Sequence, residues 1–302
     1  MTNTQGSTYP PISLDSNYGQ VVRVSLDKVD AVVDYLANVV LGTLTGGTSP
    51  AWTVTGSNPL ITHISLKANN QTIRDFDTQM LYEYMKIARG QAVNGLALQI
   101  PMTDIQYATK HRILNSLFPS YSYTQIYLEL TIAPLANITS GSPTGSTGTT
   151  LYLTEQSLAR SAINFKIFDF RMLQIESALA LTGNNSLTQF LATDGYYKSL
   201  MYFANTGGSY ATASDTLVNT IELILNLRST IKQAYWSSLK IGNQALFGQP
   251  VDTGYAFEVF MENADFTQLL ALDNPIIQKS VNAKVNTTAT GQLYALKNIY
   301  VG

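Results

Sequence analysis

The sequence predicts an all-β protein made of two similar antiparallel β-sandwiches, from its composition, its alternating hydrophobic segments and an internal repeat. Of its 302 residues 45% are hydrophobic but only 13% are charged, against about a quarter in an average soluble domain. The chain has 18 Tyr and 11 Phe, residue types that suit the half-buried surface of a pleated sheet. So few charges give little repulsion between monomers, so we expect part of the surface to be buried against other chains.

Charge and hydropathy argue against several classes of protein. The chain has 18 basic and 20 acidic side chains, and its longest basic block is Lys110-His111-Arg112, so we expect no specific nucleic-acid binding through counterion release. It has no Cys, which removes disulfides and thiol nucleophiles. Residues Met1–Ile12 lack the basic and apolar regions of a signal peptide and are interpreted as a polar arm. The apolar runs are too short to span a membrane.

Strands are predicted wherever apolar residues alternate with polar ones. In Tyr18–Leu26 the residues Val22, Val24 and Leu26 alternate with Arg23 and Ser25, the period of a strand with one buried face. The turn residues of Leu44–Pro59 predict a loop, and Asn69-Asn70 predicts a hairpin turn. Further strands are predicted at Ala31–Leu41, Ile61–Lys67, Ile73–Phe76, Gly95–Met102, Tyr123–Ile132, Asn164–Leu173, Tyr196–Phe203, Ile221–Leu227, Tyr255–Phe260 and Gln292–Val301.

One amphipathic helix is predicted between Asp77 and Gly90. Met80, Tyr84 and Ile87 recur at intervals of three and four residues. Asp77 is expected to cap the first amides, and Gly90 suits a left-handed exit. A second short helix is predicted within Asp104–Leu117.

A polar stretch at 137–150, rich in Gly, Ser and Thr, predicts the boundary between two domains. The expected organisation is therefore an N-terminal arm at 1–16, a first sandwich at 17–136, a linker at 137–150 and a second sandwich at 151–302.

The two halves also repeat each other in sequence. Ile73-Arg74 matches Ile231-Lys232, and Gly90-Gln91 matches Gly248-Gln249, both displaced by 158 residues. The series continues with Ala97–Met102 against Ala256–Met261, and with Gln125–Tyr127 against Gln292–Tyr294. An ordered series with nearly constant spacing indicates a duplication. A unit of this size with about eight short strands is typical of a jelly roll, so the fold class is a tandem double jelly roll with short inserted helices.

At this point the sequence resembles the double jelly-roll major capsid proteins of tailless, icosahedral, membrane-containing bacteriophages, of the corticovirus and tectivirus type. The resemblance lies in Ile61–Leu66 with its turn and helix, in Gly254–Asn263, in Asp265–Leu270 and in the closing strand Gln292–Val301. Leu44–Pro59 and Leu179–Asn205 are longer than that pattern.

The resemblance implies a structural virion protein whose homotrimers form pseudo-hexagonal capsomers and tile an icosahedral shell. It implies contacts with neighbouring trimers, penton and minor capsid or membrane proteins, and peripheral contact with an internal membrane. Loops such as Leu44–Pro59 or Leu179–Asn205 would form outer towers, and the arm would lie beneath or between neighbours. The protein would assemble in the cytoplasm of a bacterial host and reside in the virion.

Residues that carry chemistry form no recognised motif. His63 and His111 are far apart in sequence without metal-binding spacing, Gly141–Gly148 lacks the Gly-Lys-Ser/Thr ending of a phosphate loop, and no nucleophile elbow occurs. Asp75, Asp77 and the Asp273-Asn274 turn offer oxygen ligands for Ca²⁺, although capping and turn roles explain them equally well. We therefore expect no enzyme, and no catalytic, cofactor or metal site.

Two alternatives remain open at this stage. Trp52, Trp236 and the many tyrosines would suit a secreted β-sandwich that binds carbohydrate, although such residues more often pack in cores and interfaces. Scattered carboxylates leave room for a hydrolase on a β scaffold, which would require two of them close together in a cleft.

Overall fold

The computed structural model describes residues 5–90, 94–103, 116–163, 171–182, 186–188, 195–207, 210–225, 229–260, 270–271 and 281–301. It divides the chain into two compact units, Met1–Asp169 and Phe170–Gly302. In the described residues both units are built mainly from antiparallel strands, as predicted. The helix expected within Asp104–Leu117 falls almost wholly outside the described residues, as does the stretch 164–170 of an expected strand.

The first unit consists of two main sheets. One has the order β1-β14-β4-β9, with β2 also on β14 and β10 also on β4; the other has the order β8-β7-β11-β3. Its elements are β1 Gln5–Thr8, β2 Ile12–Ser13, β3 Val21–Ser25, β4 Ala31–Val40, β5 Thr43–Thr45, β6 Ala51–Trp52, β7 Ile61–Ala68, β8 Gln71–Asp77, helix α1 Thr78–Arg89, β9 Ala97–Pro101, β10 Phe118–Pro119, β11 Ile126–Ile132, β12 Thr139–Ser140, β13 Gly145–Thr147 and β14 Thr150–Leu158.

Alternation places the core on one face of these strands. In β11 the residues Ile126, Leu128, Leu130 and Ile132 are buried, while the residues between them are partly exposed. Burying such side chains contributes about 1.5–3 kcal/mol each. The β7–β8 hairpin turns at Asn69, whose φ of 51° is left-handed, a conformation that Asn tolerates better than most residues.

The second unit also consists of two sheets. One has the order β15-β23-β17-β20, with β21 on β17, and the other has the order β16-β22-β18-β19. Its elements are β15 Arg171–Thr182, β16 Ser186–Thr188, β17 Tyr196–Asn205, β18 Val218–Leu225, β19 Ser229–Tyr235, helix α2 Trp236–Phe247, β20 Tyr255–Val259, β21 Leu270–Ala271, β22 Val281–Thr287 and β23 Thr290–Val301.

The two units share one connectivity, which confirms the predicted repeat. Each has a hairpin, β7–β8 or β18–β19, that leads directly into a helix of 12 residues. α1 and α2 are displaced by 158 residues, and each ends at a glycine in the left-handed conformation, Gly90 with φ 64° and Gly248 with φ 70°. Each helix is followed by a strand that pairs with a central strand of the other sheet. β9 follows α1 and pairs with β4, and β20 follows α2 and pairs with β17.

One pair of matched segments in the sequence series is not equivalent in the fold. Gln125–Tyr127 leads into β11, which pairs with the hairpin strand β7. Gln292–Tyr294 lies in β23, which pairs with β15 and β17. β22 is the counterpart of β11, because it pairs with β18 as β11 pairs with β7. β23 is the counterpart of β14, because it pairs with β17 as β14 pairs with β4.

The predicted linker at 137–150 is wrong, because this stretch belongs to the first unit. β12 pairs with β6, and β13 pairs with β5. β14, placed in the second sandwich by the sequence analysis, pairs along its whole length with β4. The boundary lies instead between Asp169 and Phe170. The polar composition of 137–150 predicts a backbone that hydrogen-bonds to water, but pairing with strands of the first unit satisfies these backbone groups.

Two other expectations also need correction. From residue 5 onward the N-terminal segment is no separate arm, since β1 and β2 pair with β14 and Leu14 is fully buried. The stretch Leu179–Asn205 is no outer loop, because 179–182, 186–188 and 196–205 are strands.

Candidate functional site

Charged side chains of the first unit gather on the outer face of the sheet β8-β7-β11-β3. His63 on β7 lies between two carboxylates of β8, with Nε2 2.9 Å from Asp75 Oδ1 and Nδ1 2.8 Å from Asp77 Oδ1. Hydrogen bonds to Asp75 and then Asp77 raise the pKa of His63 from 6.5 to about 10, although burial opposes the shift. His63 is therefore an imidazolium at neutral pH and donates from both ring nitrogens.

Further along the same face, Glu129 on β11 holds two cations. Lys67 Nζ donates to Glu129 Oε2 at 2.8 Å, and Arg23 donates to Glu129 Oε1. The Arg23 guanidinium also lies 4.6 Å from the ring centroid of Tyr127. The hydrogen bond from Lys67 is the main cause that lowers the pKa of Glu129. This arrangement matches opposite charges across neighbouring strands.

The candidate calcium ligands have other partners in the described part of the chain. Asp75 and Asp77 accept hydrogen bonds from His63, and the helix has no side-chain cap from Asp77, so the predicted capping role is wrong. No group of His, Asp and Glu among the described residues is arranged to hold a metal ion. The block Lys110-His111-Arg112 and the turn Asp273-Asn274 lie outside the described residues.

The glycine-rich segment Gly141–Gly148 is held against the N-terminal residues. The Asp15 carboxylate accepts hydrogen bonds from Ser146 Oγ at 2.7 Å, the Gly148 amide at 2.8 Å and the Thr149 amide at 3.0 Å. These hydrogen bonds attach residues 13–17 to the first unit, so the segment has a structural role here.

The two tryptophans make internal hydrogen bonds. Trp52 Nε1 donates to the Gly42 carbonyl at 3.0 Å. Trp236 is 2% exposed, and its Nε1 donates to Asp215 Oδ1 at 3.1 Å. The same Asp215 oxygen accepts from Lys240 Nζ at 2.7 Å and from the Gly254 amide at 2.9 Å. Trp236 therefore anchors α2 to its own unit and is not part of an open sugar-binding face.

The second unit exposes four large apolar side chains on β19 and α2. We define the helix patch as Ile231, Tyr235, Ile241 and Leu246, with Ile241 71% and Tyr235 61% exposed. α2 buries Trp236, Leu239 and Asn243 inward, so Ile241 and Leu246 are left outside. This patch was not predicted from the sequence, although the segment 236–247 has Lys240 as its one charged residue.

The first unit exposes a small uncharged surface on β4 and β14. We define the sheet patch as Asn38, Val40 and Tyr152, with Val40 50% and Tyr152 39% exposed. Tyr152 lies directly opposite Asn38 in the register of the two strands.

Neither helix of the described residues has the length and hydropathy of a membrane span.

Comparison with known proteins identifies relatives by structure alone. No family model matches the chain, and no curated protein matches it in sequence. Among solved structures, the major capsid protein of Sulfolobus turreted icosahedral virus superposes with a TM-score of 0.70 at 14% identity, over 99% of this chain and 95% of that one.

Two further capsid proteins match nearly as well. The major capsid protein of bacteriophage PM2 gives a TM-score of 0.69 at 11% identity, over 98% of this chain and 97% of that one. The major capsid protein of Faustovirus gives 0.63 at 9% identity, over 99% and 90%. The expected resemblance is therefore confirmed at the level of the fold, and the chain has the double jelly-roll fold of viral major capsid proteins.

Proposed function

We propose that this chain is a structural major capsid protein that associates with copies of itself to form a virion shell. The observation that carries the proposal is full-length agreement: nearly all of this chain superposes on nearly all of two viral major capsid proteins, at TM-scores of about 0.7. The match includes both units.

The repeat gives the proposed assembly its geometry. A chain with two units of the same connectivity presents two similar lobes, and three chains in a closed ring present six. Such a homotrimer is a pseudo-hexagonal capsomer, which can tile the faces of an icosahedral shell. Neighbouring trimers, penton proteins and minor capsid proteins are its proposed partners.

The charged clusters of the described residues support a structural role. His63 binds both Asp75 and Asp77, Glu129 binds Lys67 and Arg23, and Asp215 binds Lys240. In each cluster opposite charges are matched, which stabilises the fold and leaves no activated nucleophile.

The finer features of the proposal follow the family resemblance. The shell would lie over an internal membrane, with peripheral contact through a basic segment such as Lys110-His111-Arg112, since anionic headgroups attract such clusters. The protein would be located in the virion after assembly in the cytoplasm of a bacterial host.

Native mass spectrometry combined with negative-stain imaging tests the proposal. The expected particle has three times the 33.0 kDa mass of the chain and a six-lobed outline. A monodisperse monomer at micromolar concentration would contradict the proposal, and a rise in melting temperature on adding soluble glycans would favour a carbohydrate-binding module instead.

A further inference from the structure

Strand β3 is an edge strand of the first unit, because it is the last strand of the sheet β8-β7-β11-β3. In an antiparallel pair, alternate residues point their backbone groups at the partner strand. The Leu26 amide donates to the Ile126 carbonyl, so the even-numbered residues of β3 face β11. The odd-numbered residues therefore turn their N–H and C=O groups outward, and these residues are Val21, Arg23 and Ser25.

The outward residues of this edge are open to solvent. All three are exposed, whereas Val22 and Val24 between them are 7% and 9% exposed. Within the described part of the chain, no hydrogen bond is made to their backbone groups. Such a row of unpaired donors and acceptors is a template for an extended chain. β3 thus offers a site for strand addition that is five residues long and has an apolar inner face.

A pocket of about 300 Å³ lies against the C-terminal end of this edge. Arg23 and Lys28 line it as cations, together with Ser25, Gln125 and the ring of Tyr127, and none of its described lining residues is acidic. Hydrogen bonds from Arg and Lys to a carboxylate are stronger than those between neutral groups. The lining of the pocket therefore suits an acidic side chain.

The two cations of the pocket retain donors for a ligand. Arg23 donates to Glu129 through Nε and Nη2, and Lys28 Nζ donates to the Thr124 carbonyl. A guanidinium and an ammonium each have more N–H donors than these bonds use. Glu129 also accepts from Lys67, so this one carboxylate is shared between two cations and does not neutralise the pocket.

We propose that the edge of β3 binds an extended acidic segment of a different protein as an added strand. Alternate residues of that segment exchange backbone hydrogen bonds with the outward residues of β3 and project acidic side chains toward the pocket. The residues between them are apolar and lie beside Val22 and Val24. A second copy of β3 is a poor occupant, because two-fold pairing centred on Arg23 places like charges directly opposite each other.

Peptide binding to the full chain tests the proposal. The probe is a capped fluorescent peptide of alternating valine and glutamate, seven residues long with valine at both ends, and its binding is measured by fluorescence anisotropy. A peptide with lysine in place of glutamate should bind at least tenfold more weakly. So should a peptide N-methylated at its glutamates, which keeps the charge but cannot donate to the edge. Equal binding of either control, or no binding of the acidic peptide at millimolar concentration, would overturn the proposal.

Two substitutions test the site from the side of the chain. Ser25→Pro removes an outward N–H that β11 does not use, and proline is tolerated on edge strands. Lys28→Glu reverses a charge of the pocket. Each should weaken binding of the acidic peptide at least tenfold, whereas Lys284→Glu, the same change at a 42% exposed side chain of the second unit, should leave it unchanged. Unchanged affinity of Lys28→Glu would contradict the assigned pocket even if Ser25→Pro failed to fold.

Hydrogen exchange locates the bound peptide. Addition of the acidic peptide should slow exchange of the outward amides of Val21, Arg23 and Ser25, because an amide that gains a hydrogen bond is protected. Binding without this protection would show attraction by charge alone and overturn strand addition. These measurements do not require assembly, so a monomeric chain would contradict the capsid proposal and leave this one standing.

Discussion

His63 Nδ1 lies 2.8 Å from Asp77 Oδ1, and Asp77 is the residue from which helix α1 begins. The carboxylate that the sequence offers as a helix cap is thus engaged by an imidazolium on the neighbouring strand. At the same position before α2 stands Tyr235, which also makes no side-chain cap. Both helices therefore start without a capping side chain, and the hairpin before each of them sets its position.

The His63 cluster predicts a defined pH dependence of stability. The pKa of His63 is raised from 6.5 to about 10 in the folded chain, so its stabilisation is complete below pH 6.5 and is lost as the pH rises through about 10. His63→Gln should lower the free energy of unfolding by about 1 kcal/mol at pH 6, since partly exposed ion pairs contribute about 0.2–1 kcal/mol each. The difference should vanish near pH 10.5.

Denaturant unfolding of both proteins at the two pH values measures this effect. Asp75→Asn serves as a second variant, because removing one carboxylate should move the loss of stabilisation to lower pH. An equal cost of His63→Gln at both pH values would show that the imidazole packs as a neutral ring.

Substitution of Gly141 tests the corrected boundary of the first unit. Gly141 and Gly148 have φ of 75° and 86°, so alanine is strained at both positions by about 1–2 kcal/mol. A Cβ at Gly141 would lie 2.4 Å from the Thr48 carbonyl oxygen, whereas a Cβ at Gly148 would meet nothing within 4 Å. Gly141→Ala should therefore lower the melting temperature more than Gly148→Ala does. In a free linker neither substitution would matter, so two unchanged melting temperatures would restore the original boundary.

The attachment of the N-terminal segment depends on a buried hydroxyl. Tyr9 Oη donates to Glu155 Oε2 at 2.7 Å and accepts from the Asp27 amide at 3.0 Å. Burial raises the pKa of Glu155, so loss of a donor to this carboxyl is costly. Tyr9→Phe should destabilise the first unit by about 1–3 kcal/mol in chemical denaturation.

Tyr127→Phe is the matched control for this substitution, because its ring contacts Arg23 and Lys67 through its face. That variant should retain these contacts and most of its stability. Equal stability of the two variants would mean that the Tyr9 hydroxyl does not hold the segment.

Assembly through mostly uncharged, apolar contacts, as expected for a chain with only 13% charged residues, predicts resistance to salt. In molar NaCl the Debye length falls to about 3 Å, which weakens contacts between exposed charges and leaves apolar burial intact or strengthened. The proposed trimer should therefore persist in molar NaCl at neutral pH when its mass is measured by light scattering. Dissociation under these conditions would point to an interface dominated by ion pairs.

The sequence predicted the elements whose pattern is local. β11 alternates apolar and polar residues, and α1 has both a 3.6-residue period and a terminal glycine, so each was located to within a few residues. β19 and β22 were missed because their sequences, Ser229–Tyr235 and Val281–Thr287, contain few large apolar residues. They become strands through pairing with β18, which no local pattern records.

The exposed apolar surfaces were less predictable. Low charge indicated buried contacts, but it did not indicate where they lie. The exposure of Ile241 depends on which face α2 turns toward its core, and that is set by Trp236, Leu239 and Asn243 together. The prediction that 137–150 is a linker was wrong for a similar reason. The strands in this segment pair with Thr43–Thr45 and Ala51–Trp52, which lie far away in sequence.

The pairing of β5 with β13 and of β6 with β12 has a consequence for how this chain can change. The first unit has longer connections than the second, 41–60 against 206–217 and 133–149 against 288–289, and strands within its two longer connections pair with each other. The two connections therefore form one paired structure, so a change in the length of one connection affects the other. Trimming either connection alone would expose an unpaired strand edge, so we expect lineages of this protein to lengthen or shorten the two together.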